Sequence, residues 1–183
     1  MSSTKLSDNF YEKIKPRLHE RIGRELAGSK HVLDLGCGDC GLARYLADNH
    51  GRQVTGVDIS SESFPSHQDV AKNSKNVKCI RKDAENLKSF YGTMDVVVIM
   101  WALHEMKNPE VVLQEVHRVL RPGGKVLVVE FPRDSLAQKL WNENYYTGGE
   151  LADSLRKAGF KDIRAKQIEH KQILWVNGCR GNN

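Results

Sequence analysis

The chain has 183 residues, of which 39% are hydrophobic and 28% are charged, and this length and composition predict one soluble domain. Its net charge of +5 comes from basic residues spread along the chain, so a nucleic-acid partner is not predicted. Because residues 1–8 are polar and no apolar run approaches about 20 residues, we expect a cytoplasmic protein without a membrane association.

The N-terminal part of the chain predicts an amphipathic helix. Its apolar residues recur at every fourth position, as Phe10, Ile14, Leu18, Ile22 and Leu26. Pro16 lies inside this pattern, so the sequence is compatible with one helix or with two shorter pieces. Gly28 suits the C-terminal end of the helix, because glycine readily adopts the left-handed conformation in which many helices end.

Residues 32–47 predict a buried strand, a glycine-rich turn and a helix. The apolar character of residues 32–35 is typical of a parallel strand that is covered on both faces. Gly36, Gly38 and Gly41 then form the pattern G-x-G-x-x-G, in which the missing side chains let a ligand approach the backbone. The turn leads into the N-terminus of the helix, whose free N–H groups favour an anionic group.

A second predicted strand, residues 54–57, ends in Asp58, which follows Gly36 by 22 residues. An acidic side chain at this strand end can accept hydrogen bonds from both hydroxyl groups of an adenosine ribose. The alternative is a tight turn between a strand and a helix, with Asp58 in solvent. Asp34 stands two residues before the first glycine, where turns that bind nicotinamide or flavin cofactors usually have an apolar residue.

The remainder of the chain alternates between predicted strands and helices. A short helix around Val70 and Ala71 precedes the strand 77–80, and the β-branched strand 94–100 must lie in the middle of a sheet. The later predicted elements are a helix over 109–120, a strand over 125–130, a helix that begins at the capping box Thr147–Glu150, and an antiparallel hairpin of strands over 163–167 and 171–176.

The segment Asp34-Leu-Gly-Cys-Gly-Asp-Cys-Gly41 resembles the first motif of class I S-adenosylmethionine-dependent methyltransferases. The segments Leu103-His104-Glu105 and Leu120-Arg-Pro-Gly-Gly124 resemble the small-molecule, type 11-like members of this family, and the resemblance spans about Val32 to Phe131. It implies an α/β fold of the Rossmann-like, doubly wound type. The expected sheet has seven strands, is mostly parallel with an antiparallel last strand, and carries helices on both faces.

The same resemblance implies S-adenosylmethionine as the cofactor. In this family the acid equivalent to Asp34 helps to hold the cationic amino end of the methionine moiety. Asp83 and Ala84 match the pair that accepts a hydrogen bond from the adenine amine and packs against the adenine ring. The predicted cofactor-binding residues are Asp34, Gly36, Cys37, Gly38, Gly41, Asp58, Ile59, Asp83, Ala84 and Met100.

The whole chain is predicted to be a single methyltransferase domain. Residues 1–28 would form a helical lid, residues 30–131 the cofactor-binding core, and residues 132–183 a substrate-side segment with the closing hairpin. In the resembled family an N-terminal helix often covers the cofactor and the substrate, and Tyr11 and His19 are candidates for that role. An ordinary packing helix is the alternative.

Methyl transfer requires the acceptor atom at about 3 Å from the methyl carbon and, where the acceptor carries a proton, a base. His104 is the best candidate for this base, because its strand end should face the methyl group. A structural histidine that bonds to a loop is the alternative. Glu105, Tyr146 and Glu130 are weaker candidates, and the N-terminal helix and the segment 141–146 would line the acceptor site.

The resulting prediction is an enzyme that transfers a methyl group to a small-molecule acceptor by in-line displacement. One alternative is a methyltransferase for a protein or RNA substrate, in which a partner completes an open pocket. Another is a non-catalytic module that binds the cofactor or a nicotinamide. No Asn/Asp-Pro-Pro-aromatic sequence follows residue 100, which argues against methylation of base amines in nucleic acids. The sequence makes no prediction of the oligomeric state.

The four cysteines are irregularly spaced and do not predict a disulfide framework. Cys37-x-x-Cys40 suggests redox or zinc chemistry, but a single pair of this kind does not complete a four-ligand zinc site. The turn that holds this pair is also assigned to the cofactor. We therefore predict a structural role for both cysteines and no metal site.

Overall fold

A computed structural model describes Ser7, residues 9–65 and residues 75–182. The short helix predicted around Val70 and Ala71 lies outside these described residues. Within them, the strands of the central sheet are β1 His31–Leu35, β2 Gln53–Asp58, β3 Val77–Arg81, β4 Met94–Met100, β5 Leu120–Glu130, β6 Lys161–Ile168 and β7 Ile173–Cys179. These seven strands lie side by side in the order β3-β2-β1-β4-β5-β7-β6.

The strand directions confirm the predicted sheet. Strands β1 to β5 pair in parallel, and β7 runs antiparallel to both of its neighbours, β5 and β6. The largest difference in a strand boundary is at β5, which begins at Leu120 and not at Lys125. Leu120 pairs with Met94 ahead of an irregularity in the β4–β5 register, so the Arg-Pro-Gly-Gly segment is part of an interrupted strand.

Helices cover both faces of the sheet, as the doubly wound fold requires. In the described residues they are α1 Phe10–Glu25, α2 Gly41–His50, α3 Pro109–Val119, α4 Leu136–Trp141 and α5 Gly148–Lys157. One apolar core contains buried residues of α1 and α2, and the other contains those of α3 and α5. Alternate residues of β4 enter the two cores, because successive side chains of a strand point to opposite faces.

The N-terminal helix is continuous through Pro16, which decides between the two alternatives left by the sequence. A proline inside a helix costs about 3 kcal/mol, but Pro16 itself is exposed. Ile14, Leu18 and Ile22 are almost completely buried, and each burial contributes about 1.5–3 kcal/mol. The apolar face therefore outweighs the cost of the proline. None of the helices in the described part of the chain combines the length and the apolar character that a membrane span requires.

Candidate active site

The glycine-rich turn lies at the carboxyl ends of β1 and β2, where open sheets of this type bind ligands. The Gly36 N–H donates a hydrogen bond of 2.8 Å to the Val57 carbonyl, which fixes the turn to β2. Gly36 has a φ of 75°, and an added Cβ would collide with the Ala102 side chain. The Gly38 N–H donates to Asp58 Oδ2 at 2.9 Å, so the carboxylate at the end of β2 also orders the turn.

Gly36→Ala is expected to lower the free energy of unfolding by about 2–4 kcal/mol, because a methyl group collides with Ala102 and a positive φ strains any side chain. Gly92→Ala is the matched control, since Gly92 has a φ of 67° with open space around the added Cβ. In the control the free energy of unfolding should fall by only about 1–2 kcal/mol, because only the backbone strain acts there. Chemical denaturation measures both losses, and equal losses would show that the collision costs nothing.

A cavity of about 440 Å³ opens beside this turn. Its volume lies within the range of about 300–1,000 Å³ that is usual for small-molecule sites. Its lining includes the predicted cofactor-binding residues Gly36, Gly38, Asp58, Ile59, Asp83 and Ala84. Glu105, one of the predicted bases, also lines this cavity and is 73% exposed in its side chain. The cavity thus gathers the residues that were assigned to the adenosine end of the cofactor.

A second cavity of about 310 Å³ adjoins the first, because Gly36, Gly38 and Trp101 line both. The other residues that line the second cavity are Asp34, Cys37, Asp39, Leu42 and Met100, together with Lys15 and His19 from α1. Nine of the ten predicted cofactor-binding residues therefore line one or both cavities. Gly41 is the exception, and its N–H donates to Asp39 Oδ1 at 2.9 Å. The contacts that these residues make with a cofactor stay predictions.

Asp34 is a buried carboxyl group without a full set of partners. It lies in β1 with 2% of its surface exposed, and its Oδ2 atom has no hydrogen-bond partner among the described residues. Burial, with the nearby charges of Asp39 and Asp58, raises the pKa of Asp34 to about 7, against a hydrogen bond from the Ala43 backbone that lowers it. A cationic group in the second cavity would pair with this oxygen and favour its ionised form.

Trp101 lines both cavities and was not predicted from the sequence as a site residue. It follows β4 directly, has a φ of 57°, and its indole Nε1 is buried without a partner in the described residues. Such a φ is costly for a bulky residue and is often found at functional sites. Its position directly after Met100, at the end of a central strand, is the feature of the sequence that could have identified it as a site residue.

Trp101 and four other aromatic side chains pack together and form what we call the aromatic wall. Its members are Tyr11, Trp101, Phe131, Trp141 and Tyr145. Phe131 is at its centre, with ring centroids 4.8 Å from Tyr11, 5.1 Å from Trp101 and 5.3 Å from Trp141. The predicted acceptor-site elements, α1 and the segment 141–146, are thus brought to the end of β4.

Tyr11 connects the aromatic wall to three parts of the chain. Its hydroxyl donates to Gln172 Oε1 at 3.2 Å and accepts from the Ala137 N–H at 2.8 Å. Gln172 Oε1 also accepts from the Leu136 N–H at 2.7 Å. The helix α1, the start of α4 and the β6–β7 turn are therefore held together at this point. The hydroxyl is largely buried, which raises the pKa of Tyr11.

His104 lies behind the aromatic wall and lines neither cavity. Its side chain is 4% exposed, and its ring centroid is 4.8 Å from that of Tyr145. His104 Nδ1 lies 2.9 Å from Oε1 of the fully buried Glu130, whose carboxylate also accepts from the His104 and Phe131 N–H groups. Burial alone would lower the pKa of His104, but the Glu130 carboxylate outweighs it and the pKa is raised.

Glu130→Gln is expected to lower the pKa of His104, because burial then acts without the opposing carboxylate. The matched control is Glu105→Gln, which removes an exposed carboxylate at 3.8 Å from His104 Nε2 and should shift the pKa less. Titration of the imidazole by NMR measures both shifts. Equal shifts in the two variants would contradict the pairing with Glu130.

Tyr146 lies apart from His104. Its ring packs against the core under α3 and α5, and its carbonyl accepts from the Arg133 N–H at 2.9 Å. Tyr145 is the neighbouring tyrosine that contacts His104 and Phe131. The sequence could not distinguish the two, because adjacent residues in an extended segment point to opposite sides. A catalytic role for Tyr146 stays a prediction.

The structure has a disulfide bond between Cys40 and Cys79, although the cysteine spacing did not predict a disulfide framework. The parallel register of β2 and β3 places Cys79 beside Gly56, and a Cβ on Gly56 would approach Cys40 Sγ to 3.1 Å. The pair is separated by 39 residues in the sequence, so only the register reveals it. Cys37 is a free thiol at 3.4 Å from Cys40 Sγ, and burial raises its pKa, which agrees with a structural role.

Comparison with known proteins places the chain in a family. Residues 33–128 match the family described as "Methyltransferase domain". The mouse thiol S-methyltransferase TMT1B is 30% identical over 185 residues, which cover 93% of this chain and 75% of the mouse protein. The chain spans between 38% and 78% of the length of the curated relatives that it matches.

Solved structures share the fold at lower identity. The [4+2]-cyclase SpnF superposes with a TM-score of 0.83 at 20% identity, over 100% of this chain and 85% of the cyclase chain. The 1,6-didemethyltoxoflavin-N1-methyltransferase of Burkholderia thailandensis was solved with bound 1,6-didemethyltoxoflavin and S-adenosylhomocysteine. It has a TM-score of 0.77 at 22% identity, over 95% of this chain and 81% of the Burkholderia chain. Since the family match covers more than half of the chain, this protein belongs to the S-adenosylmethionine-dependent methyltransferases.

Proposed function

We propose that this chain transfers a methyl group from S-adenosylmethionine to a small-molecule acceptor by in-line displacement. The aromatic wall is the observation that carries this proposal, because one of its members, Trp101, lines both cavities. Flat apolar faces at that place suit a small acceptor with apolar or aromatic character. The mouse relative named for a thiol and the Burkholderia enzyme named for a ring nitrogen both have small acceptors in their names.

The residues around the two cavities fit the cofactor of this family. The unpartnered Asp34 Oδ2 suits its ammonium group, the open space over Gly38 leaves room beside the backbone, and Asp58 offers carboxylate oxygens to the ribose. When bound, the cofactor supplies a methyl group on a sulfonium; the acceptor lone pair forms the new bond while the carbon–sulfur electrons stay on sulfur. The protein has to hold the acceptor in line and exclude water.

His104 is our candidate for removal of the acceptor proton. Glu130 holds the Nδ1 side of the ring, which leaves Nε2 to accept a proton. Because the ring lies behind Tyr145 and Phe131, we expect the aromatic wall to open there when an acceptor binds.

The division of the chain into functional parts stays a prediction, with a lid over residues 1–28, a core over 30–131 and a substrate-side segment over 132–183. A cytoplasmic location stays a prediction as well.

The test is methyl transfer from isotope-labelled S-adenosylmethionine to a panel of small thiols, phenols, amines and aromatic heterocycles. We expect at least one class to gain the labelled methyl group, as detected by mass spectrometry. Asp34→Asn, which removes the negative charge from the cofactor site, should strongly reduce this product when the cofactor is limiting. Labelling of proteins or RNA in a cell extract, with no small molecule labelled, would favour the macromolecular acceptor and contradict the proposal.

A cofactor-binding protein that does not transfer methyl groups is the second candidate. Its support is the likeness in fold to a structure named as a [4+2]-cyclase. Fold alone does not fix the reaction, since related sites on one fold perform different chemistry. Binding of S-adenosylmethionine without any labelled product, in the presence of small and macromolecular acceptors, would favour this candidate.

A further inference from the structure

The turn between β6 and β7 has a strained backbone. Glu169, His170 and Lys171 are three successive residues with φ values of 49°, 56° and 63°. This left-handed conformation is uncommon for residues other than glycine, and it persists only where surrounding contacts hold it. Arg17 on α1 makes one of these contacts, an ion pair of 2.9 Å with Glu169. The turn is therefore held in a costly conformation against α1.

Gln172 ends this turn and contacts two other segments through a single atom. Its Oε1 atom accepts from the Tyr11 hydroxyl at 3.2 Å and from the Leu136 N–H at 2.7 Å. Its Nε2 atom donates to the His170 carbonyl at 3.4 Å, within the turn itself. Gln172 thus acts on α1 and on α4 as a hydrogen-bond acceptor.

The bonds at the start of α4 satisfy N–H groups that a helix leaves without partners in its first turn. The Ala137 N–H donates to the Tyr11 hydroxyl at 2.8 Å, next to the Leu136 N–H that Gln172 accepts. The helix has only six residues, and a helix of this length depends on outside contacts for its stability. Its last residue, Trp141, belongs to the aromatic wall. Gln172 therefore supports two members of the wall, Tyr11 directly and Trp141 through α4.

We propose that Gln172 is a positioning residue for the methyl acceptor. Its Oε1 atom holds Tyr11 and the start of α4, and through them it orders the part of the aromatic wall that contacts the acceptor. Gln172 lines neither cavity, so it acts through these neighbours and does not touch the cofactor. This inference rests on the proposed function, which places the acceptor at the aromatic wall.

The test uses Gln172→Met, which keeps the length of the side chain and removes the acceptor oxygen. The acceptor is the member of the small-molecule panel that gains the labelled methyl group fastest. Its KM is expected to rise by about 5- to 30-fold, because two hydrogen bonds are lost. The kcat and the affinity for S-adenosylhomocysteine should change by less than about 3-fold, since the buried apolar face of α1 still holds that helix.

Two further variants separate positioning from a general loss of structure. Gln172→Glu keeps an oxygen that accepts both bonds, so its KM should stay within about 3-fold of the wild-type value. Tyr11→Phe removes the partner hydroxyl and should also raise the KM. Combined with Gln172→Met, it should raise the KM by less than the product of the two single effects, because both residues belong to one hydrogen-bond network. Gln167→Met changes an exposed glutamine on β6 and should behave as the wild type.

Hydrogen exchange of the Leu136 and Ala137 amides, followed by NMR, tests the same contacts without an acceptor. Both amides should exchange faster in Gln172→Met and at the wild-type rate in Gln167→Met. Unchanged exchange in Gln172→Met would overturn the proposal, as would equal losses in acceptor KM and in S-adenosylhomocysteine affinity. Methyl transfer with an unchanged KM in Gln172→Met would overturn the positioning role alone. If the wild-type protein methylates no acceptor, the proposed function fails and the positioning role fails with it.

Discussion

Asp58→Ala is expected to weaken the binding of S-adenosylhomocysteine on the order of 100-fold. In the structure Asp58 Oδ2 accepts from the Gly38 N–H at 2.9 Å, and Oδ1 accepts from the Ser60 N–H at 3.1 Å. The same carboxylate is placed to receive the ribose hydroxyls, and hydrogen bonds to a charged group contribute about 1.5–3 kcal/mol each. The variant therefore loses both the ribose contacts and part of the order in the turn.

Two controls separate these contributions. Asp58→Asn keeps one acceptor oxygen and should lose less affinity than Asp58→Ala. Asp48→Ala changes an exposed acid on α2 and should bind the ligand like the wild type. Titration calorimetry gives the affinities, and chemical denaturation without ligand gives the stability of each variant. An Asp58→Ala variant that binds S-adenosylhomocysteine as tightly as the wild type would contradict the assigned ribose contact.

Asp34→Asn is expected to make the ligand-free protein more stable and to reduce cofactor affinity on the order of 100-fold. Its pKa is raised from the usual 3.8 to about 7 in the folded protein, so ionisation of the buried carboxyl opposes folding. Between those two pH values the folded state holds more protons than the unfolded chain, and stability falls as the pH rises. An amide does not ionise, so the variant escapes a cost on the order of 2–4 kcal/mol near pH 8.

The pH dependence of binding should have the same origin. The ionised form of Asp34 is the form that pairs with an ammonium group, so affinity should fall as the pH is lowered through about 7. This dependence should disappear in Asp34→Asn. Calorimetric titrations between about pH 6 and pH 8, roughly one unit either side of that pKa, measure it. An affinity that is independent of pH in the wild type would contradict the role of Asp34.

Asp95→Asn is the matched control for a buried acid with partners. Asp95 accepts from the Lys30 and His31 N–H groups at 2.7 and 2.8 Å and pairs with Arg121. Burial acts to raise its pKa, but these partners outweigh it and hold the pKa below the usual value. Its ionised form therefore stabilises the fold, and this stability is lost as the pH falls through the lowered pKa. Asp95→Asn should destabilise the protein and leave cofactor binding unchanged.

The fold was predictable because its signals are local. The β-branched strand 94–100 and the glycine-rich turn after residue 35 identify their own secondary structure, and the reversed hairpin follows from two short strands near the C-terminus. Nine predicted cofactor residues line the cavities for the same reason, since they follow the ends of strands that the sequence already places side by side.

The acceptor side was less predictable because it is built from distant segments. Tyr11, Phe131 and Tyr145 meet only after α1, β5 and the segment before α5 have packed together. The choice of Tyr146 over Tyr145 depended on which side of an extended segment faces Phe131, and no local pattern encodes this. The Cys40–Cys79 bond depended in the same way on the register of β2 and β3.

The most direct test of the account is titration calorimetry of the wild-type protein with S-adenosylmethionine, S-adenosylhomocysteine and NAD. We expect one site for each sulfur-containing ligand and no binding of NAD, because a buried acid at position 34 suits an ammonium group and repels a pyrophosphate. Binding of NAD alone, or of none of the three ligands, would contradict the cofactor site at residues 36–41, and the proposed methyl transfer would lose its basis.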